Sequence, residues 1–330
     1  MTRVLITGGC GFFGHHLVEH VLKNTDWEVV VLDRLSYSSR GFDRLRDIEA
    51  FDDRRVHVLT HDLTLPIVDG MAQEIGRVDV IVHAAAETHV DRSIEDARPF
   101  VMANVLGTLN ILEFARTCDR LQQLVYFSTD EVFGPAPNGV RHKEWDRYNC
   151  TNPYAATKAS GEELAMAFAN TYSIPVLASH TMNMIGERQD PEKFVPLVVR
   201  KVLAGEVVTI HADPTCARAG SRFYIHCRNV ADALLFLIAR APFDRGKINI
   251  VGEKEVDNLT LAQMIAGFVG KPLHYQMTDF HSSRPGHDLR YALDGDLLAA
   301  HGWHPPNTFE ASLEKTVRWT LENPRWLERP

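Results

Sequence analysis

Three hundred and thirty residues suit about two domains, or one α/β unit with an appended lobe, and 45% hydrophobic with 24% charged residues excludes a disordered or fibrous chain. A formal charge of −8 without a run of like charge speaks against a nucleic-acid partner. Five scattered cysteines without C-x-x-C spacing, no bilayer-length apolar stretch and an N-terminus running straight into MTRVLITGG lead us to expect a cytoplasmic protein with reduced thiols and no membrane segment.

Short β-branched runs alternate with longer amphipathic segments through the first half. VLITG precedes a helix over 12–23, EVVVLD one over 42–50, VHVLT one over 65–75, VDVIVHAA one over 100–118 and LVYFS one over 154–172, and PVLAS closes the series. Apolar strands separated by helices are the pattern of a parallel sheet covered on both faces. The fold class expected is α/β, with a doubly wound parallel sheet. Beyond Ser179 the alternation loosens, and Pro191, Pro196 and Pro214 mark a loop-rich segment. RFYIH, the helical NVADALLFLIA and the strand-like KINIVG then look like a return to the first sheet. Residues 1–181 and 222–252 are expected to form a dinucleotide domain, and 182–221 with 253–330 a smaller C-terminal α/β substrate lobe.

Between the first strand and helix lies Thr7-Gly8-Gly9-Cys10-Gly11-Phe12-Phe13-Gly14, in which Gly9, Gly11 and Gly14 satisfy G-x-G-x-x-G. Glycine there allows a tight turn, close backbone approach to a pyrophosphate and packing of the helix on the sheet, while the helix N-terminus offers donors. Asp33 ends the second strand, where a carboxylate grips a ribose 2′-hydroxyl and repels a 2′-phosphate. NAD on a Rossmann-type sheet is the expectation, with Arg34 tempering the selection. Asp62 fits the adenine amino group, and Ala84, Ala85 and Ala86 are small enough for the cofactor to pass.

Tyr154 and Lys158 stand at i and i+4 in NPYAATKASGEELA and share a helical face, behind Asn152 and Pro153 as helix-start residues. An ammonium and a nicotinamide charge nearby would favour the phenolate, making Tyr154 a general base. LVYFS runs into Thr129, Asp130 and Glu131 at the carboxyl edge of the sheet, where ligands of open α/β folds bind. Two adjacent acids, one protonated and one ionised, can act as general acid and base on neighbouring carbons. No H-E-x-x-H occurs among the sixteen histidines, so no metal is expected, and His15, His16 and His20 are expected on a helix surface or at an interface. His89 in ETHVDRS is the exception, because it comes directly after Thr88.

These motifs resemble the extended short-chain dehydrogenase/reductase family, and within it the nucleotide-sugar 4,6-dehydratases. TGGCGFFG, HAAAETHVDRSI, NVLGTLNILE, STDEVFG, NPYAATKASGE, PEKFVP and RPGHDLRYALD carry the resemblance along the chain. It implies Tyr154 as the base for the O4 proton of a nucleoside-diphosphate hexose, Thr129 hydrogen-bonding near O4, and Lys158 on the cofactor ribose. Glu131 would take the C5 proton and Asp130 protonate the departing C6 hydroxyl, giving a 4-keto-6-deoxy sugar without net oxidation. The cofactor set implied is Gly8, Gly11, Phe12, Phe13, Gly14, Asp33, Arg34, Ser36, Asp62, Leu63, Ala84, Ala85, Ala86, Asn104, Ser128, Tyr154 and Lys158. The substrate set implied is Thr88, Asn183, Lys193, Phe194, Arg222, Asn258, Arg284 and His287, with Arg222 a phosphate ligand whose planar fork binds two oxygens.

Met184 and Ile185 stand where the family has an asparagine and a tyrosine, and the stretch 135–151 is short, which leaves dTDP- and UDP-linked sugars both open. A 4-epimerase, a 5,6-dehydratase and a non-catalytic NAD-binding regulatory module are the alternative functions. The resemblance also implies a homodimer held by the helices over 100–118 and 155–170.

Overall fold

The computed structural model describes residues 2–36, 38–240, 246–280 and 288–328. Seven parallel strands form the central sheet. Six come in chain order: β1 (Arg3–Thr7), β2 (Glu28–Asp33), β3 (Val56–Thr60), β4 (Val80–His83), β5 (Gln123–Thr129) and β6 (Val176–Thr181). The strand Gly246–Ile250 joins beside β6, and the spatial order is Gly246–Ile250, β6, β5, β4, β1, β2, β3. Val4 and Ile6 face one helical layer, containing Phe12–Asn24 and Cys227–Ala239. Leu5 faces the other, containing Gly107–Ala115 and Pro153–Tyr172. Both faces are therefore dry, which is why the strands read as unbroken apolar runs. Strand order reverses between β1 and β4, so the connections leaving their carboxyl ends diverge and open a crevice there.

A separate apolar cluster packs the helices Phe194–Ala204, Asn258–Val269 and Phe309–Glu322 around Val199, Leu261, Ile265 and Val317. Beside it, Val208–Ala212 pairs in parallel with Tyr275–Asp279. Two short ladders join the segments beyond β6: Ile225–His226 with Met184–Ile185, and Val256–Asp257 with Ser221–Arg222.

Two expectations fail here for physical reasons. The single helix expected over 100–118 is interrupted by a π-helical stretch, Val101–Leu106, between Arg98–Phe100 and Gly107–Ala115. Such a wide turn inserts a residue, and here it carries the buried Asn104. Asn104 Oδ1 accepts from the Glu87 amide at 2.8 Å, and its Nδ2 donates to Glu87 O and Thr157 Oγ1, each at 3.0 Å.

The second failure concerns His15 and His16, which are buried rather than superficial, because the helix Phe12–Asn24 packs on Cys227–Ala239. His15 Nδ1 lies 3.1 Å from Gly11 O, and His16 Nε2 lies 3.1 Å from Glu187 O. Burial pushes the His16 imidazole down to about 3 and His15 well below its usual range, so both are neutral at pH 7. His20 is partly exposed and faces Asp232 at 3.6 Å. Among the described residues, no group of three His, Cys, Asp or Glu is arranged to hold a metal ion, and no helix is long and apolar enough to cross a membrane.

Candidate active site

The loop after β1 uses its glycines unequally. Gly8 has φ +73°, and a Cβ there would stand 2.8 Å from Ala85 Cα. A Cβ on Gly14 would lie 2.1 Å from Gly8 O. Gly9, counted in the motif, packs instead under the Val31 side chain and is absent from the cleft wall, which Gly8, Gly11 and Gly14 form. The working spacing is therefore G-x-x-G-x-x-G. No side chain caps the helix Phe12–Asn24, so its first-turn N–H groups are available to an anion. Gly14→Ala would incur an overpacking cost of about 1–3 kcal/mol. We expect it to weaken NAD binding about tenfold or more; an unchanged Kd by titration would contradict this account of the loop.

From this loop a cleft of about 310 Å3 runs across the ends of the strands. Asp33 closes β2, with Oδ2 accepting from the Cys10 amide at 3.0 Å and Oδ1 from the Leu35 amide at 2.8 Å. Arg34, in the cleft wall, hydrogen-bonds Glu87 and lies 3.8 Å from Asp62 Oδ2. Two carboxylates thus neutralise the cation that would otherwise attract a 2′-phosphate. Ser36, Asp62, Leu63, Ala84, Ala85 and Ala86 share this wall. So does Arg44, fully buried, whose Nη1 donates to Ser38 O at 2.6 Å and Cys10 O at 3.3 Å. Uncapped helix donors, a cradle that admits no Cβ and a carboxylate at the end of β2 fit a dinucleotide.

At the other end of the cleft β5 delivers Ser128 and Thr129, and a short 3-10 turn, Asp130–Phe133, comes next. Thr129 Oγ1 donates to Asp130 Oδ1 at 3.0 Å. Burial, and secondly the charge of Glu131, pushes the Asp130 carboxyl up to about 7. Asp130 Oδ2 is buried without a hydrogen-bond partner among the described residues. Glu131 Oε2 accepts from Asn152 Nδ2 at 3.0 Å, while Asn152 Oδ1 caps the helix Pro153–Tyr172 through the Ala155 amide at 2.8 Å. Burial raises Glu131 as well, opposed by that hydrogen bond and by the charges of Arg222 and Lys193. The environments therefore part the two acids, leaving Asp130 the readier proton donor and Glu131 the readier acceptor.

Tyr154 and Lys158 complete this wall. Lys158 is buried with its Nζ 4.4 Å from the Tyr126 ring centroid, and desolvation pulls it down to about 7. The favoured phenolate expected of Tyr154 is reversed in the chain by itself. Burial, then the Glu131 charge, pushes its hydroxyl above the usual phenol range, the neighbouring Thr129 hydroxyl opposing only in part.

The family model described as NAD dependent epimerase/dehydratase family matches residues 4–252. The chain belongs to the NAD dependent epimerase/dehydratase family. It is 33% identical to a dTDP-glucose 4,6-dehydratase of Escherichia coli, covering 99% of this chain and 94% of that one. A trifunctional UDP-glucose 4,6-dehydratase of Arabidopsis thaliana is 31% identical over 98% of this chain and 48% of its own. Among solved structures, a dTDP-glucose 4,6-dehydratase from Streptomyces venezuelae with NAD bound superposes with TM-score 0.87 at 32% identity, covering 99% of each chain.

In this epimerase/dehydratase chain the substrate residues implied by the resemblance separate into three groups. Thr88, Asn183 and Lys193 line the cleft, as does His89, whose Nε2 lies 3.3 Å from Glu192 Oε2. Phe194, Arg222 and Asn258 do not line it. Phe194 packs on the C-terminal apolar cluster. Arg222 donates to the carbonyls of Ser221, Asp288 and Leu289 at 2.6–2.7 Å and lies over Tyr291. Asn258 Oδ1 accepts from Tyr224 OH at 2.6 Å. Arg284 and His287 lie outside the described residues. Asn104, expected on the cofactor, stands behind the wall and holds Glu87 in place. Arg44 carries no motif, Glu87 lies inside HAAAETHVDRSI without a role read for it, and the second use of Asn152 shows only in its packing.

Proposed function

We propose that this protein is an NAD-dependent nucleotide-sugar 4,6-dehydratase, a hydro-lyase that converts a dTDP- or UDP-linked glucose into its 4-keto-6-deoxy derivative. The observation that carries the reading is the pair Asp130 and Glu131, adjacent in sequence and set in one wall with Tyr154 and Lys158, both pushed up by burial but with Glu131 held back by its hydrogen bond from Asn152. The dTDP-glucose and UDP-glucose 4,6-dehydratases among its relatives support it. NAD would supply the hydride acceptor for C4 and the hydride donor for C6. The loop Gly8–Gly14 and Asp33 would hold it, and Arg34, neutralised by Glu87 and Asp62, would leave the 2′-hydroxyl form preferred.

Tyr154 accepts the O4 proton, which requires the nearby ammonium of Lys158 to outweigh its burial. The 4-keto group then acidifies C5. Glu131 takes that proton and Asp130 protonates the C6 hydroxyl, which leaves as water. Glu131, its proton exchanged with solvent, reprotonates C5 as hydride reaches C6. Lys193 in the cleft wall is the cation we assign to the diphosphate. Incubation with dTDP- and UDP-glucose in heavy water, with product NMR afterwards, tests the reading: a 4-keto-6-deoxy sugar with deuterium at C5 is expected. A 4-epimer, a 5,6-alkene or no C5 exchange with any nucleotide hexose would refute it.

The same reading keeps the two-lobe division at 1–181 with 222–252 and at 182–221 with 253–330. It includes a homodimer through the helices around Gly107–Ala115 and Pro153–Tyr172, supported by the exposure of Val101 (46%) and Met102 (45%) beside them. A monomer in sedimentation at micromolar concentration would overturn the dimer. All five cysteines are free, which suits a reducing cytoplasm.

A further inference from the structure

One turn beyond Lys158 the helix Pro153–Tyr172 carries Glu162, a fully buried acid outside the cleft wall. Burial alone would neutralise a carboxylic acid. Four segments instead converge on it. Ser128 Oγ donates to Oε2 at 2.6 Å from β5, and His180 Nε2 lies 3.0 Å from Oε1 on β6. Tyr148 OH hydrogen-bonds Oε1 from the segment 134–152, and Lys247 Nζ lies 3.1 Å from Oε1 on the strand Gly246–Ile250. Lys247 Nζ also donates to Tyr148 OH at 2.5 Å. These partners hold the Glu162 carboxyl well below the usual carboxylate range, against its own burial.

This stable negative charge has a consequence at Lys158. Its neighbours are Tyr154 and Glu162 on its own helix, Tyr126 on β5 and the buried, neutral His83 on β4. Desolvation opposes the ammonium, and Glu162 supplies the charge that favours it. Around Glu162 itself the remaining ionisable groups among the described residues are Glu163, which faces Lys247 at 3.3 Å, and the thiol of Cys150.

We propose that Glu162 is a positioning residue of the catalytic pair: a buried, ionised carboxylate that keeps Lys158 an ammonium beside Tyr154 and orients Ser128 in the cleft wall, with Lys247 as its counter-ion. The proposal rests on the dehydratase reading for its purpose, but its test does not need the dehydration step. The diagnostic step is C4 oxidation, read as reduction of bound NAD across pH, in which Asp130 takes no part. Loss of Lys158 charge gives this step an alkaline limb. Glu162→Gln keeps the shape and removes the charge, so the limb is expected to move to lower pH by roughly one unit.

Lys247→Met, outside the cleft wall, leaves Glu162 ionised on Ser128, His180 and Tyr148 and removes a cation that screens it. The limb is therefore expected to move slightly the other way, to higher pH, and this variant serves alone if the first does not fold. Folded variants that bind NAD and lose rate by one factor at every pH, or not at all, would overturn the proposal and leave Glu162 a packing residue. Failure of the wild type to form a 4-keto-6-deoxy product would instead overturn the dehydratase reading alone.

Discussion

Glu131→Gln is expected to stop the reaction half-way. Its amide cannot take the C5 proton, so kcat falls about 10²–10⁴-fold, the range for loss of a general base. C4 oxidation survives because Tyr154 and Lys158 are untouched, so NAD stays reduced on the enzyme and no deuterium enters C5 from heavy water. Loss of the Glu131 charge also lets the Asp130 carboxyl fall, since that charge is the second cause of its rise to about 7. Wild-type elimination should itself decline as pH rises through about 7, because the acid form of Asp130 is present below that value and lost above it. Asp130→Asn should remove this limb along with most of the activity. Normal C5 exchange in Glu131→Gln would assign the base elsewhere.

Tyr154→Phe acts one step earlier. With no phenol to accept the O4 proton, hydride transfer lacks its driving partner, and a loss of about 10²–10⁴-fold is expected in both kcat and the rate of NAD reduction. NAD binding should persist, because the glycine loop and Asp33 are unchanged. The two variants therefore differ in one readout: reduced NAD accumulates with Glu131→Gln and is scarcely formed with Tyr154→Phe. Rapid NAD reduction by Tyr154→Phe would show that another group takes the O4 proton.

Much of the fold and of the site is legible in the residues. Val4–Ile6 and Val29–Val31 read as strands because a sheet dry on both faces has no polar alternation to obscure it. The spacing of Tyr154 and Lys158 implies a common helical face, and Asp130 with Glu131 comes directly from a strand end. Other features depend on partners far along the chain. Gly8 and Gly9 both fit a glycine motif, and only φ and the contact with Val31 separate them. His15 and His16 look superficial in the sequence because the helix that buries them begins at Cys227. The Tyr154 proton is set by burial and by Glu131, a balance that spacing does not contain. Arg222 has the right chemistry for a phosphate, yet its guanidinium is taken by backbone carbonyls of its own chain.

The π turn at Val101–Leu106 sets a phase as well as a kink. One residue more or less rotates the remainder of the helix by about 100° about its axis. A deletion there would let a regular helix form, but it would swing Asn104 off the Glu87 backbone. Glu87 is the carboxylate that occupies Arg34, and an arginine released beside Asp33 is placed to receive a 2′-phosphate. The charge that Arg34 presents to the cleft is therefore tied to the length of a helix two strands away, through Asn104, which stands behind the cleft wall.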